Sequence, residues 1–164
     1  MNLPSYRIVN LAQAFGSLLL IIIAIAYFER SLNLEPCYLC IMQRGVIVAI
    51  GAICALAAVH NPQQFGQRVY SSLSLTLVLT GIYFSGKQLW LQSLPDSQVP
   101  SCGFPVRHLF DNFSTIEAIT MLLQGDGNCA DVRWQLMGLS MPGWVMVCFV
   151  GFGTIGVIQF LRKS

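Results

Sequence analysis

Four apolar stretches in the sequence are each long enough to cross a lipid bilayer as a helix. A hydrocarbon core of about 30 Å requires roughly 20 helical residues, and the stretches cover Ile8–Phe28, Ile41–Val59, Val69–Leu91 and Pro142–Leu161. The chain is 55% hydrophobic and 10% charged, whereas soluble domains carry roughly 25% charged residues. The sequence therefore predicts an all-α membrane protein, in which residues 1–164 form one integral membrane domain with a bundle of four transmembrane helices.

The charged residues are distributed unequally between the two sides of this bundle. All seven acidic residues fall in the loops 29–40 and 92–141, which would lie on one side. The other side carries basic residues and no acidic ones: Arg7, Arg68, Arg162 and Lys163. Because cytoplasmic loops are enriched in Lys and Arg, we expect both termini in the cytoplasm and both acid-bearing loops outside. A net charge of +2 without a basic stripe gives no indication of nucleic-acid binding.

The six cysteines separate into two groups by their position relative to the helices. Cys54 and Cys148 fall within the second and fourth helices, where cysteine usually serves as a small apolar packing residue. The other four fall on the outer side, in a compartment that permits disulfides: Cys37, Cys40, Cys102 and Cys129. Two pairs are consistent with this set, a local pair Cys37–Cys40 and a long-loop pair Cys102–Cys129.

Each pair has a structural and a redox interpretation. A disulfide between Cys102 and Cys129 would close a loop of nearly thirty residues and stabilise the fold by roughly 2–4 kcal/mol. A bond between Cys37 and Cys40 restrains the unfolded chain little, and its Cys-x-x-Cys spacing is typical of redox-active motifs. A zinc site is a third alternative for the four cysteines, although zinc ribbons usually combine two Cys-x-x-Cys pairs.

The surroundings of the two pairs differ. Cys37 and Cys40 stand at the start of an apolar helix, and a helix N-terminus favours a thiolate. Cys102 lies in a segment rich in Pro and Gly, which excludes a regular helix and leaves the thiol accessible to a partner. Cys129 follows the turn-forming run 125–128.

A short amphipathic helix is predicted inside the second outer loop. The run Ser114-Thr115-Ile116-Glu117 has the form of a capping box, in which the Ser and Glu side chains cap the first turn. Four apolar residues then share one helical face: Ile116, Ile119, Leu122 and Leu123. This face would lie on the outer leaflet or pack against the bundle, and the sequence is compatible with both.

Arg44 is a positive charge inside a predicted membrane helix. It follows Cys40 by four residues, so both side chains share one face of the helix. A charge in a membrane helix marks a functional candidate unless the side chain reaches the interface. Arg44 is therefore either a snorkelling arginine or a fixed charge that stabilises a Cys40 thiolate or the developing anion of an acceptor. Lys87 and Gln88 allow similar alternatives.

Several motifs together resemble the DsbB family of bacterial inner-membrane disulfide bond formation proteins. They are the run 35–44 (EPCYLCIMQR), the run 86–89 (GKQL), Cys129 followed by Trp134, and the run 137–144 (MGLSMPGW). The ordered set spans nearly the whole chain and is more specific than Cys-x-x-Cys alone. The resemblance implies a four-helix fold with two periplasmic loops.

The resemblance also implies an activity. The enzyme would reoxidise a periplasmic DsbA-like thiol oxidase and pass the electrons to the membrane quinone pool, as ubiquinone or menaquinone. Cys102–Cys129 would be the disulfide that the partner attacks, with Cys102 forming the mixed disulfide. The electrons would then pass to Cys37–Cys40, with Cys40 as the thiolate nearest the quinone.

The quinone site implied by the resemblance contains Arg44, Leu89 and Met141. Two residues depart from the family pattern: Gln43 stands where well-known members have an acid, and Ser93 stands where some have His. These departures bear on quinone affinity and on any proton route, and they leave the redox cysteines intact.

Two other functions stay open at this point. One is a relative dedicated to one particular thiol partner, and the other is a non-catalytic membrane scaffold with two structural disulfides. A DsbA-type oxidase has a potential near about −120 mV and is already strongly oxidising. A quinone in the bilayer would supply the stronger acceptor that such a partner needs, which favours the enzyme.

Overall fold

Helices make up most of the protein. The computed structural model describes residues 4–103, 108–109 and 112–162. The helices of this part are α1 (Tyr6–Ile23, continued by the π-helical turns Ala24–Ser31), α2 (Tyr38–His60), α3 (Gln64–Gln92), α4 (Thr115–Gln124) and α5 (Met141–Leu161). Short 3₁₀ turns at Asp96–Gln98 and Gly127–Cys129 lie in the loops, together with a hairpin of β1 (Gln135–Leu136) and β2 (Leu139–Ser140).

Four of these helices are long and apolar enough to cross a membrane, namely Tyr6–Ser31, α2, α3 and α5. The four-helix membrane protein predicted from the sequence is thereby confirmed. The first helix continues to Ser31, past the predicted end at Phe28, and its last turns are π-helical. α2 begins at Tyr38 rather than at Ile41, so Cys40 lies inside its first turn.

The bundle has an apolar outside and a partly polar inside. α2 packs against α1 and α3, and α3 packs against α5. α1 turns its polar side inward, where it buries Tyr6, Asn10, Gln13 and Ser17. Most of its exposed residues are large and apolar, such as Phe15. This arrangement suits a bilayer, where lipid covers the apolar faces and small or polar residues mediate contacts between helices.

Gly81 allows α3 and α5 to approach each other closely. A Cβ atom at this position would overlap the ring of Phe149, which is fully buried. We expect Gly81→Ala to force the helices apart and to lower the free energy of unfolding by about 1–3 kcal/mol, measured as a lower thermal midpoint in detergent. Gly151→Ala on α5 meets no neighbouring atom and should leave the midpoint unchanged. Equal losses in both variants would contradict the prediction.

The predicted capping box is present at the start of α4. The Glu117 N–H donates to Ser114 Oγ, and the Ser114 N–H and hydroxyl donate to the Glu117 carboxylate. These hydrogen bonds from Ser114 lower the pKa of Glu117. α4 packs against α2 and buries Ala118 and Leu122. Three residues of its apolar strip remain exposed: Ile116, Ile119 and Leu123.

All four outer cysteines lie at one end of the bundle. The C-terminal ends of α1 and α3 and the N-terminal ends of α2 and α5 meet there, as shown by cavities and hydrogen bonds that join them. The orientation of this end in the membrane stays a prediction. Two of the charged residues counted above, Asp111 and Lys163, lie outside the described residues.

Candidate active site

Cys37 and Cys40 occupy the N-terminus of α2. Cys37 is the N-cap residue with an extended backbone, and Cys40 lies in the first turn. Their sulfur atoms are 2.8 Å apart, and both thiols are free. The helix start therefore presents a dithiol whose members are placed for reversible oxidation to a disulfide.

Cys102 and Cys129 are brought together by contacts between their loops. The Gly103 N–H donates to the Asp126 carboxylate at 3.2 Å, and the Cys129 thiol donates to the same carboxylate at 3.2 Å. A Cβ atom at Gly127 would lie 3.3 Å from Cys102 Sγ. Cys102 is exposed whereas Cys129 is fully buried, so only Cys102 of this pair is open to a partner protein.

The two pairs meet at Cys37 and Cys129. The neighbouring Cys129 thiol raises the pKa of Cys37, and so do the contact with Cys40 and the burial of the thiol. Cys37 therefore keeps its proton at neutral pH in the reduced protein. The four cysteines form one cluster, with Cys102 at the exposed side and Cys40 at the bundle side.

Two buried glutamines lie beside the inner pair, and one of them contacts its sulfurs. Gln88 on α3 donates through Nε2 to Cys37 Sγ at 3.3 Å and to Cys40 Sγ at 3.4 Å. Gln43 on α2 donates through Nε2 to Gln88 Oε1 at 2.8 Å. From the sequence alone, the role of Gln88 is ambiguous and Gln43 is only a departure from the family pattern. The signal for both was a polar side chain inside an apolar helix.

Arg44 forms an ion pair with Glu29. Glu29 lies in the π-helical end of α1, whereas the sequence predicts a loop over 29–40 and gives no signal that singles out this residue. The side chains are 21% and 29% exposed, respectively, so the pair is partly shielded from water. Arg44 also lines two cavities beside Cys40.

These two cavities adjoin at Cys40. One is an apolar groove between α1, α2 and α5. The other is a more polar cavity under the outer loops. Five residues line both cavities: Phe28, Cys40, Arg44, Trp134 and Met141. Cys40 therefore stands at the boundary between an apolar and a polar compartment.

The remaining site residues suggested by the resemblance are Leu89 and Met141. Met141, the first residue of α5, lines both cavities beside Cys40. Leu89 is half-buried on α3 and is not part of the described lining of either cavity. The functional role of each residue stays a prediction.

Comparison with known proteins connects this geometry with one family. The family model described as "Disulfide bond formation protein DsbB" matches residues 6–159. The chain belongs to the DsbB family. The family is one of disulfide oxidoreductases, so the chain is a multi-pass membrane protein of that enzyme class, and the family predicted from the motifs is confirmed.

Individual DsbB relatives match over nearly the full length. The disulfide bond formation protein B of Saccharophagus degradans is 45% identical, covering 99% of this chain and 98% of its own. The protein of the same name from Nitrosococcus oceani is 43% identical, covering 88% and 86%. That of Methylococcus capsulatus is 39% identical, covering 98% and 97%. The similarity therefore includes all four membrane-length helices and both cysteine-bearing loops.

Proposed function

We propose that this DsbB-family protein is an inner-membrane enzyme that reoxidises a periplasmic DsbA-like thiol oxidase and passes the electrons to a membrane quinone, ubiquinone or menaquinone. The position of Cys40 carries the proposal. Cys40 contacts Cys37 on one side and lines an apolar groove on the other. A scaffold with two structural disulfides would not require a thiol at this boundary.

The outer pair receives the electrons first. A thiolate of the reduced partner attacks the exposed Cys102, which breaks the Cys102–Cys129 disulfide and forms a mixed disulfide with Cys102. Cys129 leaves as a thiolate. The second thiol of the partner then attacks the mixed disulfide and releases the oxidised partner. The partner loses two electrons and two protons, and Cys102 and Cys129 gain them.

The inner pair is reduced through the contact between Cys129 and Cys37. The Cys129 thiolate attacks Cys37, which breaks the Cys37–Cys40 disulfide and releases Cys40 as a thiolate. Cys102 then attacks Cys129, restores the outer disulfide and frees Cys37, which takes up a proton. Two electrons have now moved from the loops to the helix start.

The side chains that line the groove beside Cys40 are chemically suited to bind a quinone. A bound quinone supplies an acceptor for two electrons and two protons. The aromatic and thioether side chains of Phe28, Trp144 and Met141 would contact its apolar ring. Arg44 holds a positive charge where negative charge develops, and Glu29 balances that charge in the resting protein.

The proposal also assigns the two sides of the membrane. The cysteine cluster and both acid-bearing loops would face the periplasm, where disulfides persist. The ends with Arg7, Arg68 and Arg162 would face the cytoplasm, as the positive-inside rule requires. In this orientation the exposed Cys102 meets a soluble periplasmic partner.

A direct test mixes the purified protein with a reduced DsbA-type oxidase and a soluble analogue of ubiquinone or of menaquinone. We expect partner thiols to be oxidised only when a quinone is present, with one quinone consumed for each dithiol. The preferred analogue identifies the quinone. Failure to consume either analogue would overturn the proposal. Restored disulfide formation across many proteins, in a strain that lacks its own enzyme, would exclude a dedicated partner.

A further inference from the structure

We propose that Gln88 and Gln43 form an amide pair that stabilises the reduced form of the Cys37–Cys40 couple. In this amide pair Gln88 donates a hydrogen bond to the Cys40 thiolate, and Gln43 sets which end of the Gln88 amide faces the sulfurs. The inference rests on the proposed function, because it assigns a role to two residues in the inner redox step.

The first observation is the placement of the Gln88 amide nitrogen. It lies 3.3 Å from Cys37 Sγ and 3.4 Å from Cys40 Sγ, so its two N–H groups serve both sulfurs. A thiolate is a much stronger hydrogen-bond acceptor than a disulfide sulfur, since charge-assisted hydrogen bonds are roughly twice as strong as neutral ones. The contact therefore favours the reduced couple over the oxidised one.

The second observation is the bond that orients this amide. A glutamine presents either a carbonyl oxygen or an NH₂ group, and a carbonyl facing the sulfurs would repel a thiolate. Gln43 Nε2 donates to Gln88 Oε1 at 2.8 Å, whereas the Cys40 thiol reaches the same oxygen only at 3.8 Å, so the bond from Gln43 holds the NH₂ group nearer to the sulfurs. Gln43 is thus a positioning residue that acts through Gln88.

The third observation is burial. Gln43 is 3% exposed and Gln88 is 4% exposed, so water does not compete for their hydrogen bonds, which are stronger in this low-dielectric setting. The positive charge of Arg44 is shared with Glu29. Among the side chains that the structure describes, Gln88 supplies the amide N–H that reaches Cys40.

A hydrogen bond to a charged group typically shifts an equilibrium constant by about tenfold or more. Loss of the Gln88 donor should therefore make the Cys37–Cys40 disulfide about tenfold harder to reduce, which corresponds to about 30 mV for a two-electron couple. Loss of Gln43 leaves the Gln88 amide in place, but nothing then fixes which end of it faces the sulfurs. This loss should also make the Cys37–Cys40 disulfide harder to reduce, by a smaller factor.

The test measures the redox equilibrium of Cys37–Cys40 in the full-length protein, in glutathione buffers at neutral pH, without quinone or partner. Thiols are alkylated and each cysteine is followed by mass spectrometry. We expect Gln88→Met to shift the equilibrium about tenfold towards the disulfide and Gln43→Met about threefold. The double variant should match Gln88→Met alone, because Gln43 acts only through Gln88.

The matched control is Gln13→Met. Gln13 is also a buried glutamine in contact with a thiol, since its Oε1 accepts from Cys54 Sγ at 3.8 Å, but it lies elsewhere in the bundle. Its replacement should leave the Cys37–Cys40 equilibrium unchanged. The amide pair is refuted if Gln88→Met leaves the equilibrium unchanged, if Gln13→Met shifts it equally, or if the two site variants add.

The result is separable from the proposed function. A shifted equilibrium in a protein without quinone-dependent activity would support the amide pair and overturn the proposed function. An unshifted equilibrium in an active protein would overturn the amide pair alone. Gln43→Met provides a second variant that changes no direct contact with sulfur, so the test does not depend on Gln88→Met folding.

Discussion

Cys40→Ser is expected to reduce quinone-dependent oxidation of the partner to the rate without enzyme. Serine forms no disulfide with Cys37, so the inner couple cannot carry electrons to the groove. The outer cysteines Cys102 and Cys129 keep their contacts and still exchange with the partner. Quinone consumption measured by absorbance should therefore stop, while non-reducing gels should still show a partner adduct at Cys102.

The matched control for this experiment is Cys54→Ser. Cys54 is 2% exposed in the middle of α2, and its thiol contacts Gln13 instead of the cysteine cluster. A serine hydroxyl would retain a hydrogen bond there, so native turnover is expected. Quinone-dependent turnover that persists in Cys40→Ser would show that the relay through the inner couple is wrong.

Arg44→Met is expected to lower kcat/KM for the quinone by about 100-fold, which is a typical loss when a charge-stabilising group is removed from a catalytic site. The fixed positive charge beside Cys40 would be gone, while the apolar stem of the side chain would remain. The substitution also leaves Glu29 unpaired. The measurements are steady-state quinone kinetics and thermal unfolding in detergent.

In the double variant Glu29→Gln with Arg44→Met, we expect the thermal stability and the quinone activity to change independently of each other. The ion pair is only partly buried. Arg44→Met alone should therefore lower the free energy of unfolding by more than the roughly 1 kcal/mol of a surface pair and by less than the about 3–5 kcal/mol of a buried pair that loses one partner. Removing both charges should recover much of the thermal midpoint but none of the quinone activity. Recovered activity would mean that Arg44 serves only the fold.

Local sequence patterns were sufficient to predict the architecture of this protein. Bilayer thickness sets a minimum length for an apolar helix, so four stretches of this length predict four membrane helices. The capping box at Ser114 depends on residues within one turn, and it too is present as predicted. The helix bounds were less accurate, because the π-helical turns that carry α1 to Ser31 leave no clear signal in composition.

The sequence by itself determined the four-helix membrane fold, the family and the separation of outer from embedded cysteines, because each depends on composition or on short-range spacing. Only the tertiary structure decided that Gln43 orients Gln88, that Glu29 pairs with Arg44 and that Cys37 meets Cys129. These contacts join residues far apart in the chain. They depend on how each helix is rotated about its axis and on how the loops pack over the bundle, and packing across the whole molecule sets both.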